Sequence, residues 1–109
     1  MTPEDFEQHR IDFIEEMRSE MDMKNKDYQA GSTNQLHYEE IADNIGCTPM
    51  QVWATLFCKH VHAIFRYCRD GNVASEDIQH RLKDAANYCL LGSALVKDLE
   101  GQDSGQEKT

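Results

Sequence analysis

The chain has 109 residues, 39% of them hydrophobic, and a formal net charge of −9 at neutral pH. That suffices for one domain with a thin core, which makes a homo-oligomer sharing core surface the expected state. No apolar run approaches the roughly 18 residues of a membrane-spanning helix, so no membrane partner is expected. Nonspecific nucleic-acid binding needs a basic footprint that this balance lacks. The charge is uneven: residues 1–22 hold two basic and eight acidic side chains, residues 23–100 eight basic and ten acidic. The first segment is an acidic strip. The nearly neutral remainder leaves room for a local basic cluster that meets a small anion.

Two prolines, six glycines and no sustained period-two alternation point to an all-α chain. Thr2-Pro3-Glu4-Asp5 opens the first helix with a cap, a proline in the first turn and acids at the positive end of the dipole. Phe6, Phe13, Ile14, Met17 and Met21 give it one apolar face to about Lys26. Turn formers fill residues 27–35, and a short second helix spans about Leu36 to Ile45 before Gly46. Thr48-Pro49-Met50-Gln51 has capping-box spacing and opens the third helix, which Asp70-Gly71-Asn72 stops. Ser75 caps a fourth helix that runs to about Leu99 and ends at Gly101. The third and fourth helices, joined by a short turn, are expected to pack as a long antiparallel hairpin in a small bundle. The domain is read as residues 1–100, with 101–109 a disordered polar tail.

Cys47, Cys58, Cys68 and Cys89 form no C-x-x-C pair. The last three fall at apolar helical positions, where a free thiol acts as a small hydrophobe. The opening Met1–Asp5 lacks signal-peptide character, so the expectation is a cytoplasmic protein with reduced thiols.

Four constellations bear on chemistry. Ile41 to Val52 has the small residue, turn glycine and buried valine of a helix-turn-helix. Its recognition segment offers only Thr48 and Gln51 to a base edge, and within that helix no lysine or arginine precedes Lys59. Two packed helices are therefore favoured over DNA binding. Cys58 and His62 share a helical face, with His37 and His80 as the available recruits, but two ligands do not make a metal site. On the fourth helix, Asp77, Arg81, Asp84 and Tyr88 form one polar stripe, overlapped by Glu76, His80, Asp84 and Asn87. Such carboxylates can hold Mg²⁺ while Lys59 or Arg66 on the opposite helix meets a phosphate. Spacing alone favours a solvated face with an Asp77–Arg81 surface pair. Finally, Lys24-Asn25-Lys26-Asp27-Tyr28 ends the first helix, where lysines answer the dipole or grip phosphate and Tyr28 can stack on a base.

Taken together, Lys24 to Tyr28, Lys59 and Glu76 to Tyr88 resemble small phage and prophage proteins of the nucleotide-modification-associated, MazG-like kind. That pattern is a lysine-rich Asp-Tyr-Gly, a Lys-x-x-Arg on a middle helix, and a glutamate followed by Asp-x-x-Asn-Tyr. Lys26, Asp27 and Tyr28 match the first part, Lys59 the second, and Glu76, Asp84, Asn87 and Tyr88 the third. Gln29 replaces the glycine, His62 replaces the arginine with Arg66 one turn on, and His80 stands where a carboxylate is usual. The resemblance implies an all-α nucleoside triphosphate pyrophosphohydrolase-like fold in a host cytosol. Its ligand is a nucleotide or nucleotide-derived small molecule, and Mg²⁺ is the implied cofactor. It implies metal ligation by Glu76 and Asp84, with Glu40 and Asp43 as weaker candidates. It implies ligand contacts from Lys26, Asp27, Tyr28, Lys59, His62, Arg66, Asn87 and Tyr88. Two other readings stand beside it: a binder that sequesters a nucleotide signal without turnover, and an acidic module or DNA mimic whose first helix meets a host protein.

Overall fold

Where each helix starts and stops follows from its end residues. The computed structural model describes residues 1–27, 34–71 and 77–107, with side chains for 1–23, 38–71 and 77–101. These form four helices: α1 (Pro3–Asp27), α2 (Asn34–Ile45), α3 (Pro49–Asp70) and α4 (Ile78–Glu107). At the head of α1, the Asp5 amide donates to Thr2 Oγ1 at 3.1 Å, and the Thr2 amide donates to Asp5 Oδ2 at 3.2 Å. Thr48 and Gln51 close the reciprocal box on α3: the Gln51 amide donates to Thr48 Oγ1 at 3.2 Å and the Thr48 amide to Gln51 Oε1 at 2.9 Å. Gly46 (φ 82°) and Gly71 (φ 73°) take the left-handed conformation that ends α2 and α3.

α4 differs from the sequence reading at its far end. Gly101 does not adopt the left-handed turn, and the helix continues to Glu107. A glycine in helical conformation costs stability but does not break the hydrogen-bond ladder, and no proline follows it. The expected cap at Ser75 lies outside the described residues. The first bond of α4 runs from the Arg81 amide to the Asp77 carbonyl at 3.1 Å.

The apolar core gathers where α2, the first half of α3 and the second half of α4 meet. Tyr38, Ala42, Val52 and Leu95 are buried, ringed by Ile41, Cys47, Met50, Trp53, Leu56 and Leu99. Trp53 seals this end: its indole Nε1–H donates to the Tyr88 carbonyl at 2.8 Å, and its ring lies over Gly92 and stacks on Phe57 at 5.0 Å. Contacts between α3 and α4 run in opposite chain order, Trp53 with Tyr88 and Gly92, His60 with Arg81.

Several apolar positions expected inside lie outside. Phe6 and Ile14 of α1, Phe65 and Cys68 of α3, and Leu82, Cys89 and Val96 of α4 are exposed, as is Cys58. The cysteine that packs on the core is Cys47 instead. The reason is that α1 packs on α4, so among the described residues no element covers one side of the α3–α4 pair or the first half of α1. The radius of gyration is 16.8 Å, against about 13 Å for a compact domain of roughly this length.

Candidate functional site

The second end of the α3–α4 pair is polar. Arg81 and Asp84 on α4 lie one turn apart on a helix surface, Asn87 follows at the same spacing, and His60 faces them from α3. All four are buried, as many as the buried hydrophobics among the described residues. The solvated-stripe reading of α4 is thereby corrected: the stripe turns inward, and Leu82 and Cys89 of the apolar side turn outward. Arg81 is no surface partner of Asp77. It is buried, and its Nη1 lies 3.4 Å from His60 Nδ1. That geometry places the guanidinium as donor and the imidazole nitrogen as acceptor.

Asp84 sits at the junction. Its Oδ2 is 3.9 Å from His60 Nδ1 and 3.5 Å from His80 Nε2. His80 Nδ1 in turn lies 3.5 Å from Glu20 Oε1 on α1. Glu20, His80 and Asp84 each offer one ligand atom, all within 4.8 Å of one another. One turn earlier on α1, Glu16 pairs with Lys83 of α4, and the hydrogen bond and charge of Glu16 hold the Lys83 ammonium above its ordinary pKa. Two polar contacts thus join α1 to α4, and Phe13, Met17 and Met21 of α1 are half-buried. Glu20 Oε2 and Asn87 Nδ2, two buried polar atoms of this region, have no hydrogen-bond partner among the described residues.

Arg81 also reaches the opposite side. It closes one wall of a cleft of about 590 Å³ whose other lining residues, Thr55, Cys58, Lys59, His62, Ala63 and Arg66, come from α3. The helical period puts 55, 59, 62 and 66 on one face, so the cleft gathers three cationic side chains and an imidazole. Three of the sequence-predicted ligand residues, Lys59, His62 and Arg66, thus share one surface. A planar guanidinium and an ammonium at the rim of a cleft suit a phosphate or another small anion.

The remaining candidates are placed differently. Asn87 is 3% exposed. The Tyr88 ring packs 4.8 Å from His60 and 6.5 Å from Phe57, so it is engaged within the fold. Glu40 and Asp43 are exposed on α2 and take no part in the carboxylate–imidazole group. Cys58 and His62 line the cleft but do not belong to that group either. The side chains of Lys26 and Asp27, and Tyr28 and Glu76 altogether, lie outside the described residues.

No protein-family model matches this chain, and no curated protein or solved structure does either. The functional reading therefore rests on residues alone. Against the helix-turn-helix alternative, the two side chains that would read a base edge, Thr48 and Gln51, are spent on each other's backbone amides. Met50 and Trp53 pack on the core. Sequence reasoning misses Glu20 and His60. Their signal is present in the periodicity: Glu20 falls seven residues after Phe13 and His60 four after Leu56, so each is polar on an otherwise apolar face.

Proposed function

We propose that this protein binds a nucleotide or a nucleotide-derived small molecule. Its phosphates would lie against Lys59, His62, Arg66 and Arg81, and a divalent cation beside Asp84. The observation that carries the reading is the continuity of the two features. Arg81 lines the basic cleft and touches His60, which in turn faces Asp84. A buried arginine, carboxylate, imidazole and amide are costly in so small a fold, which supports a functional reason for keeping them. Mg²⁺ prefers one or two carboxylates plus substrate phosphates, and Asp84 is the carboxylate that Arg81 and His60 connect to the cleft. With Asp84 so placed, Mg²⁺-dependent attack of water on a phosphoric anhydride is the enzymatic form of the proposal, and sequestration without turnover its binding form. The absence of Glu40 and Asp43 from the carboxylate group favours the binding form.

The test is calorimetry with a panel of deoxynucleoside triphosphates, monophosphates and cyclic nucleotides, each with Mg²⁺ and with chelator, followed by assay for released pyrophosphate. Binding that weakens at least about tenfold in Lys59→Ala and Arg66→Ala is expected for charge-assisted phosphate contacts. No binding by any of the panel refutes the reading.

The same proposal includes an antiparallel α3–α4 hairpin and a homo-oligomer in a cytosol. Exposed Phe6, Ile14, Phe65 and Leu82, with the extended shape, support association through the uncovered faces. Sedimentation that returns a monomer at high concentration would refute this part. The acidic first half of α1 supports a host-protein contact as the competing reading. Removing residues 1–12 should abolish that contact and leave nucleotide binding intact.

A further inference from the structure

The resemblance calls for Mg²⁺, yet the ligand atoms that converge are of a different character. Glu20 comes from α1, and His80 and Asp84 from successive turns of one α4 face. We propose that these three side chains bind a first-row transition-metal dication of the Mn²⁺ or Fe²⁺ class in preference to Mg²⁺. The inference rests on the reading of Asp84 as a cation ligand.

Three observations support it. First, an imidazole stands between two carboxylates, 3.5 Å from each, and imidazole nitrogen suits transition metals whereas Mg²⁺ selects hard oxygen. Second, Glu20 Oε2 is buried without a partner, while Oε1 reaches His80 at 3.5 Å. Neither oxygen has a short hydrogen bond from the described residues, so this carboxylate is under-served by the protein and fitted to a cation. Third, the group joins a buried ligand to an exposed one: the Asp84 side chain is 9% exposed and that of His80 45%, so a cation can enter from solvent and be held inside.

The charges balance as well: two carboxylates and a neutral imidazole leave a dication neutralised. Metal–ligand distances of about 2.0–2.2 Å require the ligand atoms to close to roughly 3–3.5 Å, from a present spread within 4.8 Å. His80 and Glu20 are partly exposed and free to make that movement. The competing arrangement is a metal-free clasp, an imidazolium bridging two carboxylates.

The experiment uses the full chain, metal-stripped, with no nucleotide. Mn²⁺ alone and Mg²⁺ alone are titrated by calorimetry, and Mn²⁺ also by loss of the free-ion electron paramagnetic resonance signal. Wild type is expected to bind Mn²⁺ at one equivalent and at least about tenfold more tightly than Mg²⁺. Glu20→Gln and His80→Gln are each expected to weaken Mn²⁺ by about tenfold or more, and His9→Gln, on the exposed first half of α1, to leave it unchanged. Mn²⁺ binding no tighter than Mg²⁺, or unaffected by both substitutions, overturns the site and leaves the clasp. Circular dichroism checks the fold of each variant. His80 is 45% exposed, so His80→Gln carries the test if Glu20→Gln does not fold. Nucleotide binding measured in chelator separates the two claims. If it persists while Mn²⁺ binding fails, only the metal site falls; if Mn²⁺ binds and no nucleotide does, only the nucleotide reading falls.

Discussion

Gly92 of α4 lets the Trp53 ring of α3 lie close over the backbone, and replacing it with alanine tests whether Trp53 is locked. A Cβ on Gly92 would lie 2.5 Å from Trp53 Cζ2, 2.6 Å from Cε2 and 3.0 Å from Nε1. Carbon atoms pack best at about 3.5–4.0 Å, so the indole must retreat by about 1 Å. It cannot do so freely, because its Nε1–H is held by the Tyr88 carbonyl at 2.8 Å and its face by Phe57. Overpacking of this kind costs about 1–3 kcal/mol, and the weakened hydrogen bond about 1 kcal/mol. Removing a helical glycine returns about 0.5–1 kcal/mol. Gly92→Ala should therefore destabilise by roughly 1–3 kcal/mol. Gly101→Ala is the control: nothing lies within 4 Å of its Cβ position, so it should stabilise by about 0.5–1 kcal/mol. Urea unfolding followed by helical circular dichroism gives both values from midpoints at constant slope. The chain has one tryptophan, and its fluorescence should shift to the red in Gly92→Ala alone. Equal effects at both glycines, or a more stable Gly92→Ala, would refute the packing argument.

Thr48→Ala removes one arm of the capping box on α3, and denaturant midpoints should report a loss of about 1 kcal/mol. The Lys83 ammonium titrates above its ordinary value of 10.5 because Glu16 accepts its hydrogen bond. A raised folded-state pKa stabilises fully below the unfolded value and is lost as pH climbs through the folded one. Wild type should thus lose a small increment of stability above about pH 10.5 that Lys83→Met does not lose, seen in thermal midpoints across alkaline buffers. Asn87 is buried with an unpartnered Nδ2, and an unmet buried donor costs about 1–3 kcal/mol. Asn87→Ala, which deletes the unmet donor without adding volume, should change stability in denaturation by less than about 1 kcal/mol while weakening nucleotide binding in calorimetry; a larger loss would mean the amide is a structural element.

The helices were legible because their ends are written locally. Thr48-Pro49-Met50-Gln51 and Asp70-Gly71 specify the start and stop of α3 without reference to any other element. The burial pattern was not legible in the same way. α4 carries a polar and an apolar stripe, and which of them faces α3 depends on what α3 and α1 present. His60 on α3 and Glu20 on α1 answer Asp84 and His80, so the polar stripe turns in at that end, while Trp53 over Gly92 sets the apolar contact at the other. A one-dimensional pattern ranks Leu82 and Phe65 as core by composition, yet both are exposed because no element among the described residues covers them. The site was visible in part. Lys59, His62 and Arg66 share a face by helical period alone. Arg81 joins them only across the helix pair, and that crossing is tertiary.

The division of the α3–α4 pair into an apolar and a polar end has a mechanical consequence. α2 docks at the apolar end, through Tyr38 and Ala42. α1 meets α4 near the polar end, through Glu16–Lys83 and Glu20–His80, while its first half is exposed. Apolar burial stabilises by roughly 25 cal/mol per Å², whereas half-exposed ion pairs contribute little. α1 supplies none of the core residues, its Phe13, Met17 and Met21 being only half-buried, so it should be the first helix to open in sub-global fluctuations. Any ligand that spans Glu20 and the α4 residues binds the docked form better than the open one, and stabilises it by mass action. Occupancy of the seam and docking of α1 are then two sides of one equilibrium. Hydrogen exchange of α1 amides reads that coupling directly, because protection gained on adding ligand must equal the free energy of binding to the docked state relative to the open one.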